Sequence, residues 1–568
     1  LDGPEAESVY SFKNKPWFLF MRFSFPASLC LAAIVSTASP ALAKPKNVLL
    51  LCVDDLKPLL GCYGDTTAKT PGIDALAARG VLFSSAYCNQ AVCSPSRNSL
   101  MTGLRPETIG IYDLPTNFRK AVPDAETVAQ YFMAHGYRTE AMGKIMHKGH
   151  GNVEDAASWS VPHFLAKAPT YLNPESTANG RKDNRGGTRG TATEIAEVDD
   201  EAYGDGLTAK EAVTRLQLAA TKSDEPFFMA VGFIRPHLPF VAPKKYWDLY
   251  DPAMLPMPTV TTPPVGAPDY APQYGGELRQ YSDMPLIGEI DAATTRHLIH
   301  GYYAATSYVD AQVAKVIASL DANGLRENTI IVFWGDHGWH LGDHSMWCKH
   351  TNYEQAARIP LLIISPDGAK NATSSALIET VDLYPTLVAL AGLPEKSGLD
   401  GISQASVVED PTTKLRDHVT HVYPRGGRLG RAIRTDRFRM VEWKVPGASP
   451  DSAELELYDY ETDPLETKNL AAENPAVVEK LRAILATHPE AKPQLKVITP
   501  EQASKIKADK EKRVNAFRKR DTNGDGRLSL EEFLIKQPDP EGAPKRFPIF
   551  DKDGDGLLTE AEYVSGGK

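Results

Sequence analysis

The residues with most chemical content fall in three short runs and a few isolated cations. Cys93-Ser94-Pro95-Ser96-Arg97 leads into Asn98-Ser99-Leu100-Met101-Thr102-Gly103. On its own, such a run could simply start a helix with a cysteine. Asp54-Asp55 closes an apolar run, and adjacent carboxylates repel unless a cation lies between them. They read as metal ligands, with a cap for the next turn as the competing use. Asp336-His337 closes a second apolar run. Together these positions offer three carboxylates and an imidazole, a set that suits a hard divalent cation. Lys144 and His147 follow a strand-like run, His237 is stiffened by Pro236 and Pro239, and Lys349 lies just beyond Asp336-His337. With Arg97, these groups could converge on an anionic transition state.

Elements must hold these groups in place. Asn47–Val53 is a short continuous apolar run, as expected of a parallel strand buried on both faces. Pro226–Gly232, Asn328–Trp334 and Ile359–Ser365 read the same way, the last closing the sheet region of the chain. Ligand groups at the carboxyl ends of such strands lie where open α/β sheets bind their ligands. Helices are expected near 72–79, over 125–136 with Gly136 as the stop, and over 208–221, 296–321 and 381–391. Residues 150–206 read as a surface insertion near the cleft mouth, and the Pro-rich stretch from 240 to about 290 as an excursion that shapes access. From 400 to 490, short alternating runs such as Ala432–Lys444 and Leu455–Tyr460 precede a helix near 475–486. That pattern predicts a smaller antiparallel domain.

A separate module closes the chain. Asp521, Asn523, Asp525, Gly526, Ser529 and Glu532 occupy positions 1, 3, 5, 6, 9 and 12 of an EF-hand calcium loop, with Arg527 at the backbone-ligand position 7. Asp551, Asp553, Asp555, Gly556, Leu557, Thr559 and Glu562 repeat the pattern. Leu528 and Leu558 are placed to pair across the two loops.

Composition sets outer limits. With 568 residues, 42% hydrophobic and 24% charged, the chain has room for two to four domains. A net charge of -10 argues against a nucleic-acid partner, which needs a basic face. It does not forbid sulfated substrates, because a local cluster of cations can hold an anion within an acidic protein. Met21-Arg22, the apolar run from Phe23 to Val35, and Ala41-Leu42-Ala43 have the three parts of a secretory signal, with cleavage expected after Ala43. Residues 1–20 read as sequence upstream of a start at Met21. Cys30 follows Leu29, which argues against a lipid anchor, and no membrane span is expected. Cys52 reads as a small core residue, while pairing among Cys62, Cys88 and Cys348 stays open. Asn371-Ala372-Thr373 fits a glycosylation acceptor.

Over residues 47 to about 470, the chain resembles the type I, formylglycine-dependent sulfatases of the alkaline-phosphatase superfamily, and among them the iduronate-2-sulfatase group. The Cys93 run carries the resemblance. So do Val53-Asp54-Asp55-Leu56-Lys57-Pro58, Arg105-Pro106-Glu107-Thr108, Gly143-Lys144 with His147, Pro236-His237, Asp336-His337-Gly338-Trp339 and Glu456-Leu457-Tyr458-Asp459. Histidine at 337 is shared with that group, where many other sulfatases carry asparagine. The implied fold is α/β, alkaline-phosphatase-like, with a large mixed sheet flanked by helices, a smaller antiparallel subdomain and a helical EF-hand tail. The implied division is leader 1–43, catalytic domain 44–400, C-terminal subdomain 401–495 and EF-hand pair 500–568.

The resemblance implies that a maturing enzyme oxidises Cys93 to formylglycine. Asp54, Asp55, Asp336 and His337 would hold calcium, or magnesium, beside it. Arg97 and Lys144 would position the nucleophile and Lys349 would touch the sulfate. His237 would protonate the leaving group, and His147 would help the second hydroxyl eliminate sulfate. A sulfated glycan is the implied substrate, met in the periplasm or outside the cell, with Asp113, Trp339 and His340 at the cleft. The alternatives are a phosphomonoester or phosphonate hydrolase of the same superfamily, and a calcium-dependent glycan-binding protein with a vestigial site.

Overall fold

The computed structural model describes residues 19–21, 44–182, 187–222, 224–497, 500–535 and 542–566. Almost all of the expected secretory leader, including Cys30, therefore lies outside the described residues. The central sheet is built from β1 (Asn47–Val53), β2 (Val81–Tyr87), β3 (Arg138–Gly143), β4 (Phe227–Phe233), β5 (Thr329–Gly335), β6 (Arg358–Ile364), β7 (Ala372–Ser374) and β8 (Ile378–Glu379). Their order is β7-β2-β6-β5-β1-β4-β3, with β8 also pairing with β2. Only β6 runs antiparallel to its neighbours. In β1 and β4 every residue is buried, as expected of inner strands covered on both faces.

Alternation along β1 sorts the core into two layers. Val48, Leu50 and Cys52 point to one face, where α1 (Cys93–Thr102), α2 (Val128–Ala134) and α3 (Leu383–Leu390) pack through Leu100, Met101, Phe132 and Leu387. Leu49, Leu51 and Val53 point to the other, against helices Gly204–Ala220 and Ala292–Ala322 through Ala212, Leu216, Val309 and Val316. The register Val53↔Phe233 and Val53↔Gly335 brings three strands to an end side by side. The residues that follow each strand are thereby neighbours.

One expectation is corrected. The strand Ile359–Ser365 does not close the sheet region of the chain: β7 and β8 follow it, and as β6 it lies between β2 and β5. Strand β2 lay unmarked, because Ser84 and Ser85 interrupt its apolar run. Residues 150–206 lie mostly at the surface and are fastened to the body at a few buried points. Asn152 is buried and donates to Ser94 Oγ at 3.1 Å, and Glu194 accepts from Leu172, Asn173, Ser176 and Tyr203.

A four-stranded antiparallel sheet follows, of β9 (His418–Arg425), β10 (Arg428–Thr435), β11 (Phe438–Lys444) and β12 (Glu454–Asp459), paired in sequence order. Helix Pro475–Leu485 covers one face through Val478, Leu481 and Leu485. In the tail, Leu528 and Leu558 pair across the two loops and share a core with Phe517, Phe533 and Phe547. Among the described residues no helix is long and apolar enough to cross a membrane. Cys52, Cys62, Cys88, Cys93 and Cys348 are all free thiols, and Cys52 is fully buried.

Candidate active site

The site lies at the carboxyl edge of the sheet. Asp54 and Asp55 follow β1, Lys144 follows β3, His237 follows β4, and Asp336 and His337 follow β5. Successive strand residues point to opposite faces, so two adjacent carboxylates can share one site only if the chain turns between them. Asp55 makes that turn with φ 58, a left-handed conformation unusual for a residue with a side chain. Its N–H donates to Asp336 Oδ1 at 3.0 Å, and Tyr302 Oη donates to its carbonyl at 2.7 Å. Both contacts hold the strained residue in place.

Cys93 is the first residue of α1, and its Sγ lies 3.4 Å from His337 Nε2 and 3.9 Å from Asp55 Oδ1. A helix N-terminus directs unpaired backbone N–H groups at what lies before it, which favours an anion. Ser96 Oγ donates to the Asp336 carbonyl at 2.5 Å and ties α1 to β5. One turn into the helix, Arg97 is fully buried. It donates from Nε to Asp336 and from Nη2 to Asp54, both at 3.0 Å, and from Nη1 to the carbonyls of Lys144 and Ile145. Lys144 Nζ pairs with Asp54 Oδ2, and Lys349 Nζ lies 3.0 Å from both oxygens of Asp55.

These charges do not balance. Burial works against the charge of Asp54, but Lys144 and Arg97 outweigh it and hold its carboxyl well below the usual range. Burial pushes Asp55 well up, with Asp54 and Glu277 adding to what Lys349 opposes. Asp336 rises to about 7, again by burial and despite Arg97. Four carboxylates, Asp54, Asp55, Asp336 and Glu277, face the three cations Arg97, Lys144 and Lys349. One donor atom each from Asp54, Cys93, Asp336 and His337 lie within 4.8 Å of one another, as do those of Asp54, Asp55, Cys93 and His237. Burial and Lys349 keep His337 neutral, and its Nδ1 is spent on the Gly338 carbonyl at 3.0 Å, which leaves Nε2 free as a ligand. Donor set, burial and charge deficit all fit a hard divalent cation. The Cys93 thiol is pushed well up by burial and by Asp54, so it stays protonated and a weak nucleophile.

The sequence-derived residues meet here with two differences in detail. His147 bonds to His150, Nε2 to Nδ1 at 3.0 Å, and its own Nδ1 has no partner among the described residues. Burial and Lys144 hold this imidazole down at about 3, so it is neutral. Trp339 and His340 do not line the cleft: both are fully buried. Trp339 stacks on Tyr302 and backs Lys349 at 5.1 Å, and His340 is held by Asp343 and Thr351. They shape the site from behind. The sequence reading missed Glu277, whose carboxylate lies 3.0 Å from Lys349 Nζ and 3.4 Å from His237 Nε2. It sits in an irregular Pro-rich stretch, where no periodicity singles it out.

The tail loops have the geometry of paired cation loops. Asp521 accepts from the N–H groups of Gly524 and Gly526, Asn523 from that of Asp525, and Asp525 from that of Arg527. Asp551, Asp553 and Asp555 repeat this with Gly554, Gly556, Asp555 and Leu557. Asp551, Asp553 and Glu562 bring donor atoms within 4.8 Å of one another.

Comparison with known proteins agrees with this geometry. The family profile "Sulfatase" matches residues 46–393, "N-sulphoglucosamine sulphohydrolase, C-terminal" matches 342–490, and "EF hand" matches 514–534. The iduronate 2-sulfatase of Mus musculus is 35% identical over 416 residues, covering 66% of this chain and 73% of that protein. A sulfatase of Formosa agariphila is 30% identical over 464 residues, covering 78% and 86%. Among solved structures, a phosphonate monoester hydrolase from Silicibacter pomeroyi superposes with a TM-score of 0.63 at 22% identity, over 80% of this chain and 98% of the other. A 2-O GAG sulfatase superposes with a TM-score of 0.56 at 23% identity, over 78% and 92%. At that identity, both structures speak to the fold alone.

Proposed function

Because the chain belongs to the sulfatase family, we propose that it is an exported enzyme that removes sulfate from a sulfated glycan, with residue 93 as formylglycine and a divalent cation beside it. The chain is a sulfuric ester hydrolase with a C-terminal EF-hand. The observation that carries the finer reading is the meeting of Cys93 with Asp55 and His337 at the start of a buried helix. The similarity to iduronate 2-sulfatases makes a 2-sulfated iduronate the first glycan to try. The three-part leader at residues 21–43 supports export.

Asp54, Asp55, Asp336 and His337 would hold the cation, calcium or magnesium, which when bound would polarise the sulfate ester. Residue 93, oxidised by a maturing enzyme and hydrated, would present one hydroxyl in ionised form, whose oxygen bonds to sulfur as the bond from sulfur to the sugar oxygen breaks. Arg97 fixes Asp54 and Asp336, and Lys144 fixes Asp54 while adding positive charge at the nucleophile. Lys349 faces the sulfate oxygens from the Asp55 side. His237 spends its Nδ1–H on the Leu238 carbonyl at 2.5 Å, and burial with Lys349 holds the imidazole down at about 3, so at rest Nε2 carries no proton. To serve the leaving oxygen as an acid, Nε2 would first take up a proton in the substrate complex, which Asp54 and Glu277 favour. His147, neutral and paired with His150, takes the proton of the second hydroxyl as sulfate leaves.

Mass spectrometry of the peptide spanning residue 93, with rates on aryl sulfate and aryl phosphate, tests this. The expected result is an aldehyde at residue 93, a preference for sulfate, and no turnover by Cys93→Ala with its fold intact. A clear phosphate preference would support the phosphonate-hydrolase alternative. A peptide that stays wholly thiol in a host with the maturation machinery would leave only a glycan-binding protein.

A further inference from the structure

The stretch between Phe240 and Ile290 reaches the catalytic groups at Glu277. Its two oxygens are divided between two of them: Oε2 lies 3.0 Å from Lys349 Nζ and Oε1 lies 3.4 Å from His237 Nε2. The side chain is only 15% exposed. The surrounding backbone is fastened on both sides. Upstream, Gln273 Nε2 donates to the carbonyls of Trp347 and Lys349, and Gly275, at φ 79, packs on the Trp347 side chain with no room for a Cβ. Downstream, the Arg279 guanidinium ties Tyr274, Pro285 and Gly288 together through their carbonyls. Glu277 is therefore delivered to Lys349 by construction. Burial alone would neutralise it, but Lys349 and His237 hold the carboxyl well below its usual range, and it stays charged.

A permanent anion beside the groups that face the ester is costly for anion binding in general. It opposes a doubly charged ligand about twice as strongly as a singly charged one, because the interaction scales with the product of charges. Sulfate monoesters carry one negative charge, whereas phosphate monoesters carry two above a second ionisation near about pH 6. We propose that Glu277 is a positioning residue that sets the site's choice of anion, neutralising part of the Lys349 charge so that a singly charged sulfate ester is preferred to a doubly charged phosphate ester. The proposal rests on the sulfatase reading above. It adds a determinant in the access stretch rather than in the strand-end cluster.

Glu277→Gln removes the charge and keeps the size. The test measures kcat/KM for nitrophenyl sulfate and nitrophenyl phosphate above the second phosphate ionisation, together with the inhibition constant of inorganic phosphate. In Glu277→Gln the sulfate-to-phosphate ratio should fall by about tenfold or more, and phosphate should inhibit more tightly. Glu277→Asp retains the charge, so it should restore the ratio to within about twofold of wild type even if both rates drop. Divalent-ion content and the state of residue 93 are measured in each variant and should match wild type. Glu277→Ser supplies the same loss of charge should the Gln variant fail to fold. An unchanged ratio in the neutral variants, or equal shifts in Asp and Gln, overturns the proposal. A wild type without turnover of either ester would sink the sulfatase reading instead, and phosphate binding would still decide the role of Glu277.

Discussion

Arg97 has all three guanidinium nitrogens committed to Asp54, Asp336 and two backbone carbonyls, with none of its surface exposed. It acts as a strut for the cation-holding carboxylates rather than as a sulfate-binding group. Removing one member of a buried ion network leaves the others uncompensated, so Arg97→Ala should lose about 3–5 kcal/mol of stability in urea unfolding, as well as activity. A loss of activity with no loss of stability would mean that Arg97 reaches the substrate after all. Much of this was legible in the sequence. Asp54-Asp55 and Asp336-His337 sit at strand ends, where a local pattern and a family resemblance point to the same residues. Glu277 was not legible, because its role depends on a contact across 72 positions of sequence (349 − 277) made by an irregular stretch. Trp339 and His340 were misplaced for a related reason: adjacency to Asp336-His337 fixes where the chain passes, and the strand pair His340–Leu341 with Trp347–Cys348 turns both side chains into the core.

Elements, more than residues, decide how the tail works. The two loops are joined by the Leu528↔Leu558 pairing, and Arg527 of the first loop reaches Asp555 of the second at 3.0 Å. Each closing glutamate also forms a capping box, Glu532 with Ser529 and Glu562 with Thr559, so it serves loop and helix together. Glu532→Gln and Glu562→Gln should each weaken calcium binding by the tail in titration calorimetry by about tenfold or more, since position 12 supplies two ligand oxygens. Sulfate ester turnover at saturating calcium should be unchanged. An equal fall in turnover would show that the tail supports catalysis. The calcium-loop spacing was readable because all its ligands lie within one short segment. Strand β2 was not, because its serines break the apolar run while the pairing with β6 and β7 supplies the order.

At the scale of the molecule, the site exists only where β1, β4 and β5 end together, so its ligands are gathered from positions spread between 54 and 337. If the proposed cation balances its carboxylates, a site assembled this way should depend on it. Exhaustive chelation should abolish aryl sulfate turnover and lower the thermal midpoint of the main body, and returned calcium or magnesium should restore both. Full activity after elemental analysis shows no divalent ion would end the cation reading. Helix α1 adds a constraint of another kind. All ten of its residues are buried, and Cys93 is only 2% exposed. If residue 93 is matured to formylglycine as proposed, the oxidising enzyme would need a thiol that the docked α1 encloses, so maturation would have to come before docking. The specific activity of a preparation would then record how many molecules were matured before they folded.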